Sequence, residues 1–211
     1  DYCSEDRRRV VNAGIRRGRD AEIENFRASA EVGLTHVTSS VIATRGELLV
    51  LSHLRSSEPG LVSETFSMEL LGVAEIDSDG RIAAAVVFDP DNLSAALDEL
   101  DTCYVAGEAA VHADAWSVIS KSYAALNRGD VPEFAPDLMH IDHRLRVKVG
   151  AEDIAAYLRA AWDQTPDLDI YLSNVYRLSD RGAVVVHASR WTTPQGFEDR
   201  KSTRLNSSHD V

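Results

Sequence analysis

An α+β fold built from two copies of one unit is what this sequence predicts, and three observations carry it. At 211 residues, the chain has room for two domains of about 100 residues, each able to bury a core. Amphipathic helical stripes and strand-like runs joined by turn formers both occur along it. Finally, sliding the sequence by 136 residues brings identities into register without gaps: Asp1 with Asp137, Asp6 with Asp142, Arg8 with Arg144, Val11 with Val147 and Gly14 with Gly150. The same offset returns further on, aligning Arg45 with Arg181, Gly46 with Gly182, Val50 with Val186 and Gly60 with Gly196. Self-similarity at one long period marks a duplicated unit.

The elements follow in chain order. In the first copy, the run from Asp6 predicts an opening strand on which Arg7 and Arg9 alternate with Arg8, followed by a five-residue insertion at 16–20. A helix carrying Ile23 and Phe26 comes next, then strands at 36–44 and 47–57. Residues 61–76 and 81–89 read as two further strands meeting at Ser78-Asp79-Gly80, a strong hairpin signal. A helix at 92–100 leads through Gly107 into the second copy.

There, a helix over 111–127 places Trp116, Ile119, Tyr123 and Leu126 at spacings of three, four and three, an apolar stripe. Pro132 and Pro136 break the chain, 138–149 reads as one strand closed by Gly150, and 151–163 as a helix with Ile154, Tyr157, Leu158 and Trp162 on one side. Strands at 168–178 and 183–193 complete the copy. The expected domains are 1–104 and 105–198.

Residues 199–211 are set apart. The eleven residues from Asp199 to His209 equal one reading frame of a common short-read sequencing adapter, so the tail is expected to be an artefact without strand or helix period. Both ends of the chain are expected to be breaks in a longer protein.

Composition excludes several function classes. A formal charge of −12 opposes nucleic acid and anionic membranes as partners. The six arginines between Arg7 and Arg19 are read as a solvated strand edge and loop. No stretch of about 18 apolar residues is present, so no membrane span is expected. Cys3 and Cys103 fit neither a disulfide framework nor a zinc spacing, which points to a reducing, cytoplasmic setting without metal. Phosphate-loop, nucleophile-elbow, metalloprotease and EF-hand motifs are absent, so no cofactor is expected.

Helices, a strand, a helix and then long antiparallel strands is the order found in the NTF2-like superfamily, which this chain resembles. The cluster His140-Ile141-Asp142-His143-Arg144, answered by Asp6-Arg7-Arg8-Arg9, is similar to the SnoaL-like branch. The resemblance implies two cone-shaped α+β domains, each a curved antiparallel sheet wrapped on helices. The first copy lacks the leading helices, and the second lacks the trailing hairpin. It also implies kinship with modules appended to large actinobacterial regulatory proteins.

In such a cone, an apolar pocket takes a hydrophobic small molecule. Asp142, desolvated, is the candidate general base, with His140 or His187 as partner. The competing reading, preferred here, is an ion pair of Asp142 with Arg144, matched by Asp6 with Arg8. Tyr157, Trp162, Tyr176 and Trp191 are candidate ligand contacts in the second copy, and Phe26 and His53 in the first. His140 answers Ser4, and His187 answers Leu51, so the copies share no single polar constellation. That divergence favours a small-molecule-binding or protein-interaction module over an enzyme of the isomerase, cyclase or dehydratase type. A third reading is pure assembly, in which open sheets pair within the chain or between copies of it.

Overall fold

The computed structural model describes residues 2–57, 67–143, 145–193, 196–200 and 205–206. The architecture is α+β, in two compact units, Asp1–Val111 and His112–Val211.

Unit 1 opens with a hairpin, β1 (Cys3–Asp6) and β2 (Gly14–Arg17), followed by α1 (Arg19–Glu31). Arg7, Arg8 and Arg9 therefore lie beyond β1 in the connecting turn, which corrects the expected arginine strand. The cause is local: the Asp6 carboxylate takes the Arg8 amide at 3.1 Å, and Asn12 turns at a positive φ of 33°. Arg16 and Arg17 belong to β2, and Arg19 starts α1.

The remaining strands are β3 (His36–Arg45), β4 (Leu49–Ser57), β5 (Ser67–Ile76) and β6 (Ile82–Phe88). Residues 61–66 of the expected strand lie outside the described residues. The six strands form one sheet in the order β2-β1-β6-β5-β4-β3, antiparallel except where β1 runs parallel to β6. α2 (Leu93–Ala106) extends six residues past its expected end at Leu100 and buries Leu93, Ala96, Leu100 and Tyr104, a helical stripe, against β3 to β6. Leu51 opposite Val73, and Leu71 opposite Phe88, put most of the buried apolar residues of the sheet on one face, Leu70 lying on the other.

Past α2, Glu108 ties down the β3–β4 turn, its carboxylate accepting the amides of Glu47 and Leu48 at 3.0 and 3.1 Å. Gly46 adopts φ 55° there, and a Cβ on it would collide with the Glu108 carboxylate.

Unit 2 begins with α3 (Ala113–Asn127), which buries Trp116. A second hairpin follows, β7 (Met139–Asp142) and β8 (Val147–Gly150), where one strand was expected. Asp142 accepts the Leu145 amide at 3.1 Å and Arg146 takes φ 54°, closing a turn that contains no glycine, proline or asparagine to announce it. α4 (Ala151–Gln164), begun by Glu152 and Asp153 in its first turn, packs on this hairpin without burying a side chain. β9 (Asp169–Ser179) and β10 (Gly182–Thr193) pair over most of their length.

The tail departs from expectation. β11 (Gly196–Arg200) pairs with Ser189–Thr193, and β12 (Leu205–Asn206) with Val185 and Val186, so part of the adapter-like run adds short strands to β10. Residues 201–204 and 207–211 lie outside the described residues.

The repeat survives in detail at its start. β1 and β7 coincide under the 136-residue offset, and each leads through a hairpin into a helix. It breaks at the next turn: Val50 faces Thr44, whereas Val186 faces Asn174, not Asp180.

Candidate functional site

In unit 1, the buried polar residues Ser4, Asp6, Ser52 and Ser56 share the sheet face opposite the α2 core, while the buried Arg45 lies on the α2 side and pairs with Asp101 of that helix at 2.7 Å. Asp6 lies opposite Val87, Val87 opposite Gly72, and Gly72 opposite Ser52, so two buried polar side chains share a row with small neighbours. The Asp6 side chain has no solvent exposure. Arg8 meets it with two parallel hydrogen bonds, Nη2 to Oδ2 at 2.8 Å and Nε to Oδ1 at 3.0 Å, while its Nη1 reaches Met68 Sδ at 3.2 Å. Burial pushes the Asp6 carboxyl up, but the Arg8 guanidinium and amide hydrogen bonds outweigh it and hold the acid below its usual value. A carboxylate kept ionised under a guanidinium is a poor proton acceptor.

Ser4, next along β1, is also buried and donates to Glu22 of α1 at 2.8 Å; Arg16 reaches the same carboxylate at 3.3 Å. These three residues connect α1 to the β1–β2 hairpin. Phe26, on that helix, is 66% exposed. His53 sits on β4 on the α2-bearing face, its Nε2 3.2 Å from Glu69, which also takes Arg55 at 3.4 Å.

In unit 2, Asp142 and His140 share β7 and one face of its hairpin, opposite Val147 and Val149. Both are half-buried. Arg144 lies outside the described residues; among the described ones, the turn amide of Leu145 donates to Asp142. His187 belongs to a different sheet, on β10, where Tyr123 of α3 places its hydroxyl 3.3 Å from Nδ1 and its ring centroid 6.3 Å away, tilted by 57°. The structure thus brings His187 to a tyrosine read from sequence only as part of an apolar stripe. No local signal joins residues 64 positions apart.

The stripe itself is mixed: Trp116, Ser120, Tyr123 and Asn127 recur at helical spacing, Trp116 is buried, and Asn127 clasps the Ile170 backbone with bonds of 2.8 and 2.9 Å. Ser120 Oγ is buried without a hydrogen bond among the described residues.

The expected aromatic wall is corrected in part. Tyr157 and Tyr176 are 70% and 68% exposed; α4 packs on the β7–β8 hairpin, and Tyr176 sits near the far end of β9. Like Phe26, they stand on the surface and enclose nothing. Trp162 and Trp191 are half-buried. Among the described residues, no group of three or more histidine, cysteine, aspartate or glutamate side chains is placed to hold a metal ion. No described helix is long and apolar enough to cross a membrane. Compared with known proteins, the chain matches no family model and no curated protein.

Proposed function

We propose that the chain is a tandem of NTF2-like, SnoaL-like units acting as a small-molecule-binding or protein-interaction module of a larger regulatory protein, working in the cytoplasm. The observation that carries this reading is the use made of the two equivalent aspartates. Asp6 is held by Arg8, and Asp142 accepts the turn amide of Leu145, so at this position, where both copies keep an acid, the acid supports structure. An isomerase or cyclase requires a carboxylate of raised pKa within reach of its substrate proton. The Asp6 carboxyl is shifted the other way. The Tyr123–His187 pair lies beside the apolar Leu172 on a mixed stripe of α3, which suits a hydrophobic ligand bearing one oxygen.

Incubating the chain in deuterated water with a panel of hydrophobic cyclic ketones separates binding from catalysis. Ligand-induced shifts of the His187 and Tyr123 resonances without exchange of protons next to the carbonyl are expected. Catalysed exchange that disappears in Asp142→Asn would overturn the reading in favour of the enzyme.

A further inference from the structure

Asp6 takes only part of the Arg8 guanidinium. Nε and Nη2 go to the carboxylate, and the remaining nitrogen, Nη1, donates to the thioether sulfur of Met68 at 3.2 Å. Such a sulfur is a weak acceptor. The Arg8 side chain keeps 13% of its exposure, so solvent offers little in its place. Ser56 of β4 stands directly opposite Met68 of β5 in the antiparallel ladder, which puts its hydroxyl on the same sheet face, and the residue is 8% exposed. Met68 is half-buried. Two donors thus lie beside a sulfur that rewards neither strongly.

Oxidation reverses that balance. In an ordinary core a sulfoxide is disruptive, because its oxygen needs a donor that apolar neighbours lack. Beside Arg8 and Ser56 the donors are already in place. We propose that Met68 is an oxidation site of this protein, converted by hydrogen peroxide to a sulfoxide whose oxygen is held by Arg8 Nη1 and the Ser56 hydroxyl. A sulfur lone pair attacks one peroxide oxygen, the O–O bond breaks as the S–O bond forms, and the rest of the peroxide takes up the proton and leaves as water. The sulfur is oxidised and the peroxide reduced. The modified side chain then ties the turn after β1 to β4 and β5 through a strong acceptor where the thioether supplies a weak one. None of these residues belongs to the Tyr123–His187 pair, so the small-molecule reading stands or falls separately.

The chain carries its own comparison, since it has two methionines and the other, Met139, is 49% exposed. Treating the folded chain with hydrogen peroxide and mapping the added oxygen by peptide mass spectrometry is expected to show Met68 reacting no more than roughly tenfold more slowly than Met139. In a Met139→Leu background, where the thioether of Met68 alone reacts, oxidation is expected to leave the urea midpoint unchanged. It is also expected to shift the Arg8 guanidinium nitrogen resonances, as Nη1 exchanges sulfur for oxygen. Adding Ser56→Ala, which leaves the Asp6–Arg8 pair untouched, is expected to make the same oxidation lower the midpoint. Met68 that stays reduced until urea unfolds the chain, a midpoint that falls on oxidation as far with Ser56 as without it, or Arg8 resonances indifferent to the added oxygen would each overturn the proposal.

Discussion

Arg8 closes on Asp6 through a paired set of hydrogen bonds at 2.8 and 3.0 Å, at a point where the aspartate side chain is wholly removed from solvent and the arginine keeps 13% of its exposure. Two residues apart in sequence, they do not face one another across a strand; the chain bends after Asp6, and the guanidinium folds back over the carboxylate. Removing one partner of such a pair leaves the other charge buried, and costs more than the pair itself contributes.

Replacing Arg8 with Met is therefore expected to destabilise unit 1 by about 3 kcal/mol, and the double variant with Asp6→Asn to recover part of the loss. A double-mutant cycle from urea unfolding measures the coupling. Coupling near zero would show that the contact is incidental. The matching cycle on Asp142 and Arg144 is expected to yield at most about 1 kcal/mol, because Asp142 is only half-buried.

The same pair makes stability depend on acid. The Asp6 carboxyl ionises below its usual value of 3.8, so its ionised form is favoured by folding. That contribution is complete above the usual value and is lost as pH falls through the lower, folded one. Asp6→Asn is expected to flatten the decline in unfolding midpoint below about pH 4. Glu5, Asp77 and Asp89, also shifted downward, keep some slope in the variant. An unchanged acid profile would remove Asp6 from the account.

Gly46 tests the β3–β4 turn. Its φ of 55° disfavours any Cβ, and the Glu108 carboxylate occupies the space a Cβ needs while bonding the next two amides. Gly46→Ala is expected to cost about 1–3 kcal/mol in thermal or chemical unfolding. Pairing it with Glu108→Ala relieves the clash but not the φ, so the double variant is expected to recover only part. Full recovery would assign the whole cost to crowding.

These contacts divide what periodicity can express from what it cannot. The long strands β3, β4, β9 and β10, and helices α3 and α4, begin and end within a few residues of where apolar spacing puts them, because alternation and the helical stripe are local consequences of burial. The Ser78-Asp79-Gly80 hairpin was equally legible, Gly80 adopting φ 73° between β5 and β6. The β7–β8 turn was not. It depends on one aspartate accepting an amide three residues ahead and on Arg146 in a left-handed conformation, neither of which leaves a compositional mark. The site divides in the same way. Asp6 with Arg8 was readable as opposite charges two residues apart, whereas Tyr123 with His187 depends on how α3 lies across β9 and β10. Under the 136-residue offset β1 falls on β7, but the sheet register does not carry over, since Gly46 makes a turn and its aligned Gly182 already belongs to β10.

Backbone protection provides the last comparison between the copies. β4 is laddered from Leu49 to Ser57 on both sides, to β3 and to β5. β10 has β9 on one side, with register shifts at Val184/Val185 and Val186/His187, and on the other, among the described residues, β11 at Ser189–Thr193 and β12 at Val185–Val186. Short ladders open at lower free energy than long ones, because fewer hydrogen bonds and less packed surface must be released together. The packing differs in the same direction: Leu49 and Leu51 of β4 lie within the apolar face that α2 covers, and Leu51 is fully buried, whereas β10 faces α3 across a mixed polar stripe. Amides of Val184 to Trp191 are therefore expected to exchange faster than those of Leu48 to Arg55, by about tenfold for each 1.4 kcal/mol of difference in opening free energy. Equal or slower exchange in β10 would mean that a surface beyond β9, β11 and β12 shields it, and would withdraw the claim that ladder length governs the stability of the second copy.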